Sequence, residues 1–280
     1  MGSKKSKAKD RFPDELMREW ENSDGVNFAI ALARASGWLL QVDWWAQSQD
    51  DTVEQMKSLR VYVATDGDAV YDFNGRKLIQ AYNHYVITPI AAKRKYTGAG
   101  ISSRFYSEEK LWKLPLRVKP SETGINKAEE ALRQFPMFLN KMPKRINPHI
   151  PAHLAANFTY GKCAVFAAAN QAITGLPAAA ISVSRYAPFA IGKIGFCHSV
   201  TVHRDGEWED AWGKQPCENI LNRYGIEAYT LSEEVQQDVV AKLSKNSPEQ
   251  YKEYYQLAEE LIRTPFTAIT HASNRSLSHP

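Results

Sequence analysis

Cysteine is scarce in this chain, with three residues among 280, at positions 163, 197 and 217. An odd count leaves one thiol unpaired in any intrachain scheme, and so few exclude a disulfide-stapled scaffold. A reducing compartment fits this usage and keeps a reactive thiol usable. Long apolar runs are also lacking. Nothing reaches the length of a bilayer span, and the amino terminus has no signal-peptide core, so a cytoplasmic location is expected. Charge of one sign is missing from the body of the chain. The formal net charge is +4, and the opening MGSKKSKAKDR accounts for it with five basic residues and one acid. A near-neutral body attracts phosphate backbones weakly, so no specific nucleic-acid partner is expected. Cys197, His198, His203 and Cys217 do not follow a zinc-ligand spacing, and neither a metal nor a cofactor is expected.

The composition is 44% hydrophobic and 24% charged, that of a globular protein, and the length allows one large domain or two ordinary ones. Residues 1–11 are expected to be a flexible basic tail. Gly2 and Ser6 stand in the arrangement read by N-myristoylation machinery, followed by lysines suited to an anionic leaflet. This tail resembles the amino terminus of Src-type kinases. The resemblance makes Gly2 a candidate lipidation site and an anionic membrane a candidate partner, through one acyl chain plus basic residues. The competing reading is a plain disordered basic tail.

The rest of the chain repeats a pattern. Residues 25–76 and 161–214 each start with an apolar helical run, GVNFAIALARAS in the first and GKCAVFAAANQA in the second. Alternating segments follow, LRVYVATDG and HSVTVHRDG, each turning at Asp-Gly as a hairpin does. The return strands AVYDFNGR and EWEDAWGK place Asp72 and Asp210 at equal distances before a glycine. Downstream, NHY at 83–85 is echoed by NRY at 222–224. A duplicated helix-plus-hairpin module is the expectation, with one lobe at 12–118 and another at 119–280. Matching the Gly-X-X helix starts sets Asn27 against Cys163, matching the Asp-Gly turns sets Leu59 against His198, and matching Asp-X-X-Gly sets Asp72 against Asp210. An amide is no thiolate and leucine moves no proton, so Asn27, Leu59 and Asp72 read as a disabled site. Helices are expected over 127–140, interrupted by Pro136, and over 231–245 and 248–263.

Cys163, His198 and Asp210 are the candidate catalytic residues. A cysteine at a helix amino terminus has amide groups that stabilise a thiolate and can receive an oxyanion. His198 opens a strand and serves as general base, then acid. Asp210, on the return strand, holds the imidazole tautomer. Strand alternation should point Cys197 to the face opposite His198.

These residues, with GKC at 161–163, GLPAA at 175–179, HSVTV at 198–202 and GEWEDAWG at 206–213, resemble the transglutaminase-like and broader papain-like superfamily. The resemblance covers about residues 158–214. It implies an α+β fold with a catalytic helix packed on an antiparallel sheet. It also implies roles of nucleophile for Cys163, base for His198 and orienting acid for Asp210. The implied activity is hydrolysis of an amide in a protein or peptide substrate, as a protease or a glutamine/asparagine deamidase. An amine acceptor would give transglutamination instead. A bacterial effector or toxin delivered to a host cytosol fits this size and tail. The alternative is a non-enzymatic scaffold built from two degenerate lobes.

Overall fold

Both helix-plus-hairpin segments fold, and each builds a five-stranded antiparallel sheet. The computed structural model describes residues 11–263 apart from 49, 68, 147–149, 160, 161, 189 and 191. Gly2 and Ser6, and with them the candidate lipidation signal, lie outside the described residues. No helix among the described residues is long and apolar enough to cross a membrane.

The chain divides into compact units at 1–145 and 146–280. The first contains α1 (Asp14–Asn22), α2 (Val26–Ser36), β1 (Leu39–Ala46), β2 (Lys57–Ala64), β3 (Ala69–Asp72) and β4 (Gly75–Leu78). It continues with α3 (Ile79–Tyr82), a π-helical turn (Asn83–Ile87), α4 (Thr88–Lys93), β5 (Gly100–Tyr106), α5 (Glu108–Lys113), α6 (Glu122–Gln134) and α7 (Pro136–Asn140). The boundary differs from the one expected at 118/119. Residues 119–145 belong to the first unit because α6 packs along α2. Ser121 caps α6 through Gly124 N–H, and the Asn27 side chain accepts from Ser121 N–H at 3.0 Å, tying the two helices together. Pro136 ends the longer helix and opens α7, since it cannot donate to the preceding turn.

The second unit contains α8 (Ala152–Thr159), α9 (Cys163–Thr174), β6 (Ala178–Tyr186), β7 (Gly195–Val202), β8 (Trp208–Asp210) and β9 (Gly213–Gln215). It ends with α10 (Cys217–Tyr224), β10 (Ile226–Ser232), α11 (Glu233–Asn246) and α12 (Pro248–Arg263). Its sheet runs β10-β6-β7-β8-β9, and that of the first unit runs β5-β1-β2-β3-β4 in the same sense. α12 packs on α9 as α6 packs on α2. The two units therefore share one topology, an α+β fold with two similar sheets.

Strand register sharpens the comparison. Asp72 pairs with Gly75 and Asp210 with Gly213, while Val63 pairs with Tyr71 and Thr201 with Glu209. One constant sequence offset relates all of these. It carries through a β-bulge present in both sheets, where Leu59 or Cys197 is the extra residue. The residue after the bulge is Arg60, paired with Asp43, or His198, paired with Ile181. Arg60, not Leu59, is thus the counterpart of His198. The same offset sets Gly25, not Asn27, against Cys163. Matching the Asp-Gly turns had slipped the alignment by one residue at Leu59, the residue that the bulge leaves unpaired.

Gly25 is left-handed (φ 74°), and a Cβ there would lie 2.8 Å from the Val61 carbonyl oxygen. A cysteine has no room at that point. Arg60 is buried, gives Nη2 to Glu21 Oε1 at 2.7 Å, and can only donate hydrogen bonds. Asp72 is retained and accepts from the Tyr82 hydroxyl at 3.1 Å. Leu59 fills the apolar cluster of Tyr62, Val70, Tyr82 and Ile87.

Beside Arg60 lies a fully buried carboxylate, Asp43. Its Oδ1 receives the hydroxyls of Tyr62 at 2.9 Å and Ser103 at 2.5 Å, while Oδ2 has no hydrogen-bond partner among the described residues. Burial pushes its pKa up to about 6, against the pull of the Ser103 and Tyr62 hydrogen bonds. The folded state therefore holds this proton more tightly than the unfolded chain does. That contribution is complete below the ordinary aspartate pKa and is lost as pH rises to about 6. The first unit should lose about 3 kcal/mol of stability across that window. In Asp43→Asn, which is neutral throughout and keeps an oxygen for both hydroxyls, the loss should vanish. Urea titrations of both proteins at pH 4 and 7 check this, and an equal pH dependence in the two would refute it.

Candidate active site

The amino terminus of α9 places Cys163 as its first residue, with Lys162 at the N-cap position making no side-chain cap. A helix amino terminus favours a nearby negative charge through its dipole. The alanine-rich helix, stopped by left-handed Gly175, rests on β7. That seating sets the thiol against His198, near enough for each to shift the other's titration. The His198 ring is fully buried. Its Nε2 lies 3.0 Å from Asp210 Oδ2, and its Nδ1 lies 3.1 Å from the Tyr224 hydroxyl. Both ring nitrogens are thus engaged, Nε2 by the carboxylate and Nδ1 by the tyrosine hydroxyl.

Asp210 is itself saturated with donors. Oδ1 accepts from Trp212 N–H at 2.9 Å, and Oδ2 accepts from Arg223 Nη1 as well as from His198. Arg223 and Asp210 are both buried. The Tyr224 ring lies tilted by 39° against the imidazole with centroids 4.9 Å apart. All three candidate residues identified from the sequence are brought together.

Charge explains how so polar a cluster is buried. Burial alone would raise the Cys163 thiol pKa. The His198 charge, the hydrogen bond to it and amide donors from Ser199 and Ala164 outweigh burial and bring it below the ordinary thiol value. Burial works against the imidazolium too, yet Cys163 and Asp210 push His198 up to about 9. Burial opposes the Asp210 carboxylate, and Arg223 and His198 hold it well below the usual carboxylate range. Thiolate, imidazolium, carboxylate and guanidinium then alternate in sign along one row, and each neutralises its neighbour's desolvation cost. Such an arrangement can carry nucleophilic acyl chemistry.

Arg223 and Tyr224 escaped the sequence reading. Their only signal was the Asn-X-Tyr echo at 222–224, which marked a repeat without suggesting chemistry. Cys197 is a correction. The bulge suspends alternation, and Cys197 packs with Ile181, Val183 and Val200 in the cluster that also contains Tyr224, instead of facing away. Trp208 is buried in the same cluster and meets Tyr229 edge-on. His203 pairs with Glu209 at 2.8 Å. Among the described residues, no group of three or more His, Cys, Asp or Glu side chains is arranged to hold a metal.

Fold and site together define an α+β protein of two similar lobes, the second carrying a buried cysteine–histidine–aspartate row. No protein-family model matches the chain, and no curated protein or solved structure matches it.

Proposed function

We propose that the second unit is a cysteine-dependent acyl-transfer enzyme of papain-like or transglutaminase-like type. Its substrate on this reading is a protein or peptide amide, hydrolysed by proteolysis or by glutamine/asparagine deamidation. The observation that carries this reading is the buried row in which Cys163 lies beside His198 and His198 bonds Asp210, with shifts that favour the thiolate–imidazolium pair. The Cys163 thiolate attacks the amide carbon, and its oxygen takes the negative charge within reach of the first-turn amides of α9. The His198 imidazolium then passes a proton to the departing nitrogen as the C–N bond breaks, leaving a thioester. Water gives a proton back to His198 and adds to the thioester. The C–S bond breaks, and acid and free enzyme return. An amine in place of water would give transglutamination.

Mass analysis of candidate protein substrates incubated with wild type and with Cys163→Ala tests the proposal. Fragment pairs mark proteolysis, ammonia release with a small mass gain marks deamidation, and an amine adduct marks transfer. Products identical with both proteins across a broad substrate panel, together with no labelling of Cys163 by thiol-directed probes, count against it.

The first unit on this reading is a non-catalytic partner lobe, a role favoured by the absence of space for a side chain at Gly25 and by Arg60 in the base position. Its duties are packing, substrate selection or partner binding. Acylation at Gly2, with the basic tail, would hold the protein at an anionic membrane, as suits an effector delivered into a host cytosol. Co-expression with N-myristoyltransferase followed by intact-mass measurement should show the acyl adduct, and an unmodified Gly2 removes the membrane element of the proposal.

A further inference from the structure

Gln236 sits in the first turn of α11, far along the chain from the motifs of the site, and is buried. Its carboxamide is engaged at both ends. Nε2 donates to the Ala164 carbonyl at 2.9 Å, and Oε1 accepts from the Ser199 hydroxyl at 2.6 Å. A carbonyl only accepts, so the amide nitrogen must face Ala164 and the oxygen must face Ser199. These partners immediately follow Cys163 and His198 in sequence. The backbone amides of both also help to hold the Cys163 thiol below its ordinary pKa.

We infer that Gln236 is a positioning residue for the nucleophile, fastening the first turn of α9 to β7 so that Cys163 and His198 stay aligned. The inference rests on reading Cys163 as the nucleophile. A directional bond on each side of one carboxamide ties the first turn of α9 to β7 and opposes sliding of one against the other. In the first unit the counterpart of Ser199 is Val61, which has no side-chain polar atom, and Gly25 has no thiol to place.

The test uses the full chain and a reagent in place of the natural substrate. Rates of Cys163 alkylation by iodoacetamide are followed from pH 5 to 10 in wild type, Gln236→Leu, Ser199→Ala and the double variant, with near-ultraviolet circular dichroism as the fold check. Gln236→Leu should react about tenfold more slowly near pH 6 and converge with wild type at high pH, as a raised thiol pKa requires. Ser199→Ala should shift the profile in the same direction by less, and the double variant should go no further than Gln236→Leu. Folded variants with the wild-type profile overturn the inference. Should Gln236→Leu fail to fold, Ser199→Ala decides alone: a shifted profile supports the bridge, and an unshifted one overturns it. A wild-type Cys163 that titrates as an ordinary thiol brings down the nucleophile reading itself. A reactive wild-type Cys163 with unshifted variants removes only the role of Gln236.

Discussion

His198→Ala should reduce the alkylation rate of Cys163 at pH 7 by about 100-fold or more, a larger effect than loss of a general base from an exposed thiol would have. Burial is the largest single influence on Cys163, and it raises the pKa; His198 supplies the leading opposing ones. Removing the imidazole leaves burial nearly uncontested, so the thiol should titrate above its ordinary range. Stopped-flow or mass-resolved alkylation between pH 6 and 10 checks the direction. The variant should recover reactivity only at high pH. Amide turnover by the wild type should also fall as pH rises through about 9, where His198 loses the proton it must give the leaving nitrogen. A His198→Ala profile superimposable on wild type would remove the ion pair from the mechanism.

Asp210→Asn should be both inactive and strongly destabilised, although the two side chains have the same shape. Three donors converge on this carboxylate, from Trp212, His198 and Arg223. An amide offers one acceptor oxygen and one NH2 group. Whichever way it turns, at least one donor faces another donor, and the buried Arg223 guanidinium loses the carboxylate it faces. The expected cost is about 3–5 kcal/mol in urea unfolding, typical of breaking a buried ion pair from one side. Turnover should fall by about 10²–10⁴-fold because the imidazole loses its orienting charge. The double variant Asp210→Asn/Arg223→Met separates the two effects. It removes the uncompensated cation, so stability should largely return while activity does not. Asp210→Asn as stable as wild type would show that Arg223 is not held by this carboxylate.

The extent to which the chain could be read without coordinates follows from the range of each interaction. α2 and α9, the two hairpins and the C-terminal helices are written in local periodicity, and Gly37 and Gly175 mark where helices stop. Cys163, His198 and Asp210 were legible for the same reason, because one sits at a helix start and the others are joined by a short hairpin. The one-residue error at Leu59 came from trusting the Asp-Gly turns. A β-bulge leaves no reliable local signature, and register is set by cross-strand pairing. Gly25 and Arg60 became the counterparts of Cys163 and His198 only when that pairing was visible. The boundary at 145 was likewise hidden, since it depends on α6 packing back along α2.

The sequence by itself determined an α+β chain with a repeated helix-plus-hairpin module, and the residue types of a cysteine–histidine–aspartate site. Tertiary structure alone decided what supports that site: Arg223 on the carboxylate, Tyr224 on the imidazole and Gln236 between α9 and β7. The physical reason is that hydrogen bonds and charges act across space, between strands and helices distant in sequence. Helical and strand periodicity is a property of neighbours along the chain.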